Sequence, residues 1–248
     1  MKHLWKLLLA SVPVALIAAC GGGDTEDRLD VADPVVRFVH ASPLAPNLTL
    51  FRANVPLPDA TNAPYKFASN YADIDMAAAD WQVKTADTAA LTIGTVTISP
   101  ERGTKYTVVA LPGATSGSST YLIVDPYNKP LGSESTRLRL MNAAPGTVDL
   151  YMNAPGTDIT PAGVTPFIAG TAYKTSGPAS GNDSLDIPFG TYQATVTATG
   201  TKTILFRGTV AFDANKDVLL ITVPDATTGT KMLMKIEGTA GAVEVPAA

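Results

Sequence analysis

The sequence predicts an all-β protein: two tandem immunoglobulin-like antiparallel β-sandwich domains of about seven strands each. Three observations predict it. Apolar residues recur with period two, breakers rich in Gly, Pro, Asn and Asp fall at hairpin-like spacing, and one pattern occurs twice, about one hundred residues apart. Composition agrees. Of 248 residues only 16% are charged, below the usual quarter, while Thr, Ala and Val are abundant, which favours short strands over solvated helices.

Residues 1–19 read as a secretory signal: Lys2 and Lys6 precede an apolar run from Leu7 to Ala19, too short for a comfortable membrane span. Ile17-Ala18-Ala19-Cys20 resembles the bacterial lipobox, in which the cysteine after the cut receives the lipid. Cys20 is the single cysteine of the chain. As an unmodified thiol it would stand unpaired in an oxidising compartment, whereas as a lipid carrier it is the membrane tether. Residues 20–33, the lipidated cysteine followed by GGGDTEDRLDVAD, hold little to bury and are expected to form a flexible linker with a reach of roughly 20 Å. Gly21 stands where an aspartate marks inner-membrane retention in the lipoprotein families, so the resemblance implies an outer-membrane lipoprotein in a Gram-negative source. Without Lys2 and Lys6 the chain has 16 basic against 22 acidic residues, a net charge of −6. No Lys/Arg cluster offsets it, which argues against nucleic acid as a partner.

Two copies fill the remainder, with sandwiches expected over 34–131 and 136–238, a polar joint at Leu131-Gly132-Ser133-Glu134-Ser135 and a tail over 239–248. Val36-Arg37-Phe38-Val39-His40-Ala41-Ser42-Pro43 aligns with Leu138-Arg139-Leu140-Met141-Asn142-Ala143-Ala144-Pro145. Leu48 to Phe51 matches Val148 to Tyr151, Trp81-Gln82 matches Tyr192-Gln193, and Val109 to Pro112 matches Ile221 to Pro224. The strand over 191–198 alternates apolar and threonine positions, as one buried face requires. Residues 104–111 and 218–223 are more continuously apolar, as central strands often are.

The polar residues of the leading motif are candidates for function. On a strand, Val36, Phe38 and His40 share one face and Arg37, Val39 and Ala41 the other. His40 thus ends an apolar row ahead of a turn enforced by Pro43 and Pro46, and Asn142 takes its place in the second copy. Histidine and asparagine share the capacity to donate and accept hydrogen bonds, not a proton or metal affinity. His40, Ser42 and Asn142 are therefore expected to pin turn backbone.

VRFVHASPLAPNLTLF and LRLMNAAPGTVDLY resemble the leading motif of the family filed as domain of unknown function 4397, whose members read approximately VRVVHASPDAPAVDVYVDG. Leu44 replaces the usual aspartate in the first copy, and Asn142 and Ala144 replace His and Ser in the second, so neither copy keeps the polar trio whole. The resemblance implies a secreted, often lipid-anchored or wall-associated β-sandwich, with no established activity.

An enzyme is not expected. The one histidine after the signal is His40, there is no G-x-S-x-G elbow, and zinc would need several His or Cys ligands. Asp73, Asp75, Asp80 and Asp87 are the carboxylates that a glycoside hydrolase could pair, but they read more simply as loop and strand-edge residues. Asp213-Ala214-Asn215-Lys216-Asp217 begins like a calcium loop, yet Val218 and Pro224 stand where glycine and glutamate belong, and a hairpin turn explains it better. Asn182-Asp183-Ser184 with Asp186 is a second oxygen-rich corner. No cofactor is expected. The sequence points to a lipid-anchored envelope or surface protein acting as a binding, adhesion or structural module toward a protein or extracellular polymer; a carbohydrate or small-ligand module is the alternative.

Replacing the tether should detach the protein: Cys20→Ser is expected to move it from the membrane to the soluble fraction and abolish palmitate incorporation, whereas unchanged membrane retention would refute lipidation.

Overall fold

The computed structural model describes residues 32–113, 117–126, 131–227 and 229–248. The signal and Cys20 lie outside the described residues. Period-two apolar patterning does produce strands, and the chain folds as an all-β sandwich repeated twice. The first sandwich is built from β1 (Val35–His40), β2 (Leu48–Arg52), β3 (Val55–Pro56), β4 (Ala72–Asp73), β5 (Ala79–Thr85), β6 (Thr92–Ile98), β7 (Lys105–Pro112) and β8 (Ser118–Asp125). Its sheets run β4-β1-β7-β8 and β3-β2-β5-β6.

The second sandwich repeats the plan with β9 (Ser135–Asn142), β10 (Thr147–Asn153), β11 (Ile168–Ala172), β12 (Thr175–Gly177), β13 (Leu185–Pro188), β14 (Gly190–Ala198), β15 (Ile204–Phe212), β16 (Asp217–Asp225), β17 (Gly229–Ile236) and β18 (Val243–Glu244). One sheet is ordered β12-β9-β16-β17-β18 with β13 also on β9, and the other β11-β10-β14-β15.

One part of the antiparallel expectation is corrected. In each sandwich the leading strand lies parallel to a late one, β1 beside β7 with Val36 opposite Tyr106, and β9 beside β16 with Leu138 opposite Val218. Parallel neighbours need a long crossover, and here the other sheet and its loops supply it. The resulting strand orders differ from the A-B-E-D over C-F-G arrangement of an immunoglobulin constant domain.

Parity along each strand fills the interior. Phe38, Leu48, Leu50, Trp81, Val83 and Val108 meet in the first core. Leu138, Leu140, Leu150, Val196, Phe206 and Leu220 meet in the second. At Gly208 a Cβ would lie 2.6 Å from the Pro246 carbonyl oxygen, so glycine lets the C-terminal segment close over β15.

The opposite faces of the leading sheets are equally dry. Val39, Val109 and Leu111 of the first sandwich pack against Met141, Leu219, Ile221 and Leu233 of the second, forming a third core between sheets that face each other. The two copies therefore fold as joined halves rather than as beads on a joint. Gly181 donates its amide to the Val124 carbonyl at 2.8 Å, Ala242 to that of Lys66 at 2.9 Å, and the Tyr173 hydroxyl to that of Pro112 at 2.7 Å. The segment 239–248, expected to be a tail, is structural: Ala242 enters the third core, β18 pairs with β17, and Val245 is buried in the second core.

Removing buried methylenes from this third core should weaken both halves together. Ile221→Ala is expected to cost about 2–5 kcal/mol and leave a single unfolding transition in denaturant. Two resolved transitions, one unchanged, would show that the halves are thermodynamically independent.

Candidate functional site

His40 and Asn142 occupy the same place in the two sandwiches, at the end of the leading strand, and both are wholly buried. The His40 ring contacts the Ala63 carbonyl through Nδ1 at 3.1 Å, stands edge-on to Tyr65 at 6.3 Å, and leaves Nε2 buried without a partner. Asn142 is more fully used. Its amide donates to the carbonyls of Gly146 and Thr171, both at 3.0 Å, while its oxygen accepts from the Ala144 amide at 3.0 Å and the Thr222 hydroxyl at 2.6 Å. Ser42 shares a hydrogen bond with Ser118 at 2.9 Å. These three polar residues hold backbone and neighbouring strands, and solvent does not reach His40 or Asn142.

The carboxylates considered for hydrolysis are spread over loops and strand edges. Asp75 forms a forked pair with Arg52 at the surface, and that guanidinium's hydrogen bonds hold its carboxyl down at about 2. Asp80 accepts from the Thr97 hydroxyl at 2.7 Å, and Asp87 accepts the amides of Ala89 and Ala90 in a turn. Among the described residues no group of three or more His, Cys, Asp or Glu is placed to hold a metal ion. Asp213 to Lys216 form the β15–β16 turn, with Asn215 at φ 58°.

Two concave features among the described residues bear on function. The first is a cleft of about 620 Å³ on the first sandwich. Val55, Leu57, Ile74 and Ala78 give it apolar walls, and the Arg52–Asp75 pair lies at its side. Arg52 also donates to the Ala77 carbonyl at 3.0 Å, tying the loop after β4 to the end of β2. Trp81 lies against this cleft but is only 1% exposed, so it supports the wall from the core.

The second feature is the polar end of the interface between the sandwiches, which sequence reasoning missed. Lys105 donates to Glu237 at 2.6 Å and stands 3.7 Å from Asp217; the repeat places Lys105 and Asp217 at equivalent positions. Burial pushes the Asp217 carboxyl well above the ordinary carboxylate range, helped by neighbouring Glu237. Burial acts the same way on Glu237, but the Asp217 carboxyl and the Lys105 ammonium outweigh it and hold Glu237 below its ordinary value. The cluster thus sets two carboxyls, Glu237 and Asp217, around one Lys105 ammonium, with Glu237 the nearer partner. A signal for it did exist: Lys105, Arg137 and Arg139 fall within the strands β7 and β9, whose remaining residues are mostly apolar, and a charge there must meet a partner across a covered face.

Fold and sites together define a double β-sandwich with a surface cleft and a charged seam. Residues 34–152 match the family model described as Domain of unknown function (DUF4397), a stretch that takes in the first sandwich and the first two strands of the second. No curated protein matches the sequence.

Burial lowers the proton affinity of His40 more than its backbone hydrogen bonds raise it. The unfolded chain therefore binds more protons once pH falls below about 6.5, and His40 costs stability progressively there, down to its lowered folded-state value. His40→Asn is expected to lose about 1 kcal/mol at pH 8, from a contact replaced by a smaller group, and this loss should shrink toward pH 5. Parallel stability curves for both proteins across that range would contradict a buried neutral histidine.

Proposed function

We propose that this protein is a lipid-anchored component of the cell envelope, tethered to the outer membrane through Cys20, with a non-enzymatic binding role. The observation that carries the binding role is the cleft on the first sandwich: its volume is that of a ligand site, its walls are apolar, and one fixed charged pair marks its side. Two further features support it. Val55 at the rim is 66% exposed, an apolar side chain offered to solvent. The Ile74 amide donates to the Pro34 carbonyl at 2.9 Å, so the segment leading back to the tether joins the sandwich beside the cleft wall.

The expected partner is a protein or an extracellular polymer, gripped through apolar contact and one ionic fork. A carbohydrate module of the usual stacking type is the weaker reading, because Trp81 is in the core and offers no exposed platform.

The test uses the immobilised protein against solubilised envelope proteins and purified envelope polymers, alongside Val55→Asp and Ala78→Glu, both at exposed positions and so compatible with folding. The expected outcome is one retained partner that both variants lose. Capture undiminished by either variant would remove the cleft from this role.

A further inference from the structure

The duplication places equivalent residues in different surroundings, and one such difference leaves a cavity with unbalanced charge. Arg37 and Arg139 stand at the same position of the two leading strands and are 6% and 3% exposed. Arg139 is saturated. Its guanidinium donates to the carbonyls of Pro178, Ala179 and Asn182 and to the Ser184 hydroxyl, with Asp125 at 3.5 Å. Arg37 instead donates through Nε to Thr107 at 2.9 Å and lies over the Tyr71 ring at 4.6 Å, while its Nη1 is buried with no partner.

Beside it stands a second cation, Lys235, 1% exposed, at the position where the first sandwich has Ile123. Its ammonium donates to the Thr239 carbonyl and makes no ion pair among the described residues. Burial and the neighbouring guanidinium push Lys235 down to about 8, the response of a cation short of counter-charge. The carboxylate nearby, Glu237, is taken by Lys105. Arg37, Lys235, Ser69, Asn70 and Tyr71 line a cavity of about 200 Å³ between the sandwiches, together with Glu237, whose carboxylate is engaged by Lys105.

We propose that this cavity binds a phosphate or sulfate group, held by the Arg37 guanidinium and the Lys235 ammonium, with Ser69 and Asn70 as uncharged donors. Ser69 accepts the Phe38 amide at 2.9 Å, which leaves its hydroxyl proton free to donate. A guanidinium fork matches a tetrahedral oxyanion, and desolvated like charges are stable together only with an anion between them. Glu237 is the one carboxylate on this cavity and Lys105 already engages it, so an oxyanion between Arg37 and Lys235 supplies the counter-charge they lack. The site is separate from the β3–β4 cleft and does not depend on its role.

Calorimetric titration of the purified protein with inorganic phosphate, sulfate and glycerol 3-phosphate, at fixed ionic strength, tests the assignment. Saturable one-site binding of phosphate and sulfate is expected. Lys235→Ile, which installs the residue that the first sandwich carries there and so preserves packing, should weaken it about tenfold or more, as should Arg37→Gln. Glycerol 3-phosphate binding as tightly as the free ion would identify an esterified phosphate, as in a lipid headgroup; binding of the free ions alone would identify an inorganic anion. Either supports an oxyanion site. No saturable binding of any of the three, or equal binding by wild type and Lys235→Ile, overturns the proposal.

Discussion

The apolar contact between the two leading sheets is the constraint on which the rest of the structure depends. A sheet face carrying Val39, Val109 and Leu111 cannot remain in water, and the face carrying Met141, Leu219, Ile221 and Leu233 answers it. Each such side chain contributes about 1.5–3 kcal/mol on burial, so the pairing of sandwiches is comparable in strength to the making of a small core. Everything at the seam follows from that commitment. Arg37, Lys105 and Arg139 are dehydrated because they stand on the same faces as these hydrophobes, and each must find its partner inside the molecule or from a bound ion.

Much of the fold was legible in single strands. Alternation over 191–198 gave β14, the hairpin reading of 213–217 gave the turn between β15 and β16, and the two leading motifs gave β1 and β9. What period two cannot state is the direction of a non-local neighbour, and so the parallel pairing of β1 with β7 was out of reach. The third core was half visible. Continuous apolar runs at 104–111 and 218–223 say that both faces are covered, but not by what.

The sites divide in the same way. His40 and Asn142 were found by their place in the repeat, and their hydrogen bonds are with backbone and a neighbouring threonine. The charged seam was hidden because its members come from β1, β7, β8, β9, β16 and β17, and no local pattern joins residues as distant as Lys105 and Glu237. The cleft was hidden for a different reason: its walls are ordinary residues, Val55, Leu57 and Ala78, whose meaning comes only from being concave together.

The parallel pairing at the centre of each leading sheet has a bearing on how the chain is made. β1 is the earliest strand among the described residues, yet its central neighbour β7 begins only at Lys105, and β9 likewise waits for β16 at Asp217. A chain delivered N-terminus first can pair VVRFVH early on one side only, with the short β4, while its other side stays open until most of a sandwich has emerged, the situation that slows folding when contacts are distant in sequence. Only when β17 and the final ten residues arrive can the two halves be sealed. The seal between the halves thus waits for the end of the chain, where Ala242 enters the third core and its amide bonds the Lys66 carbonyl.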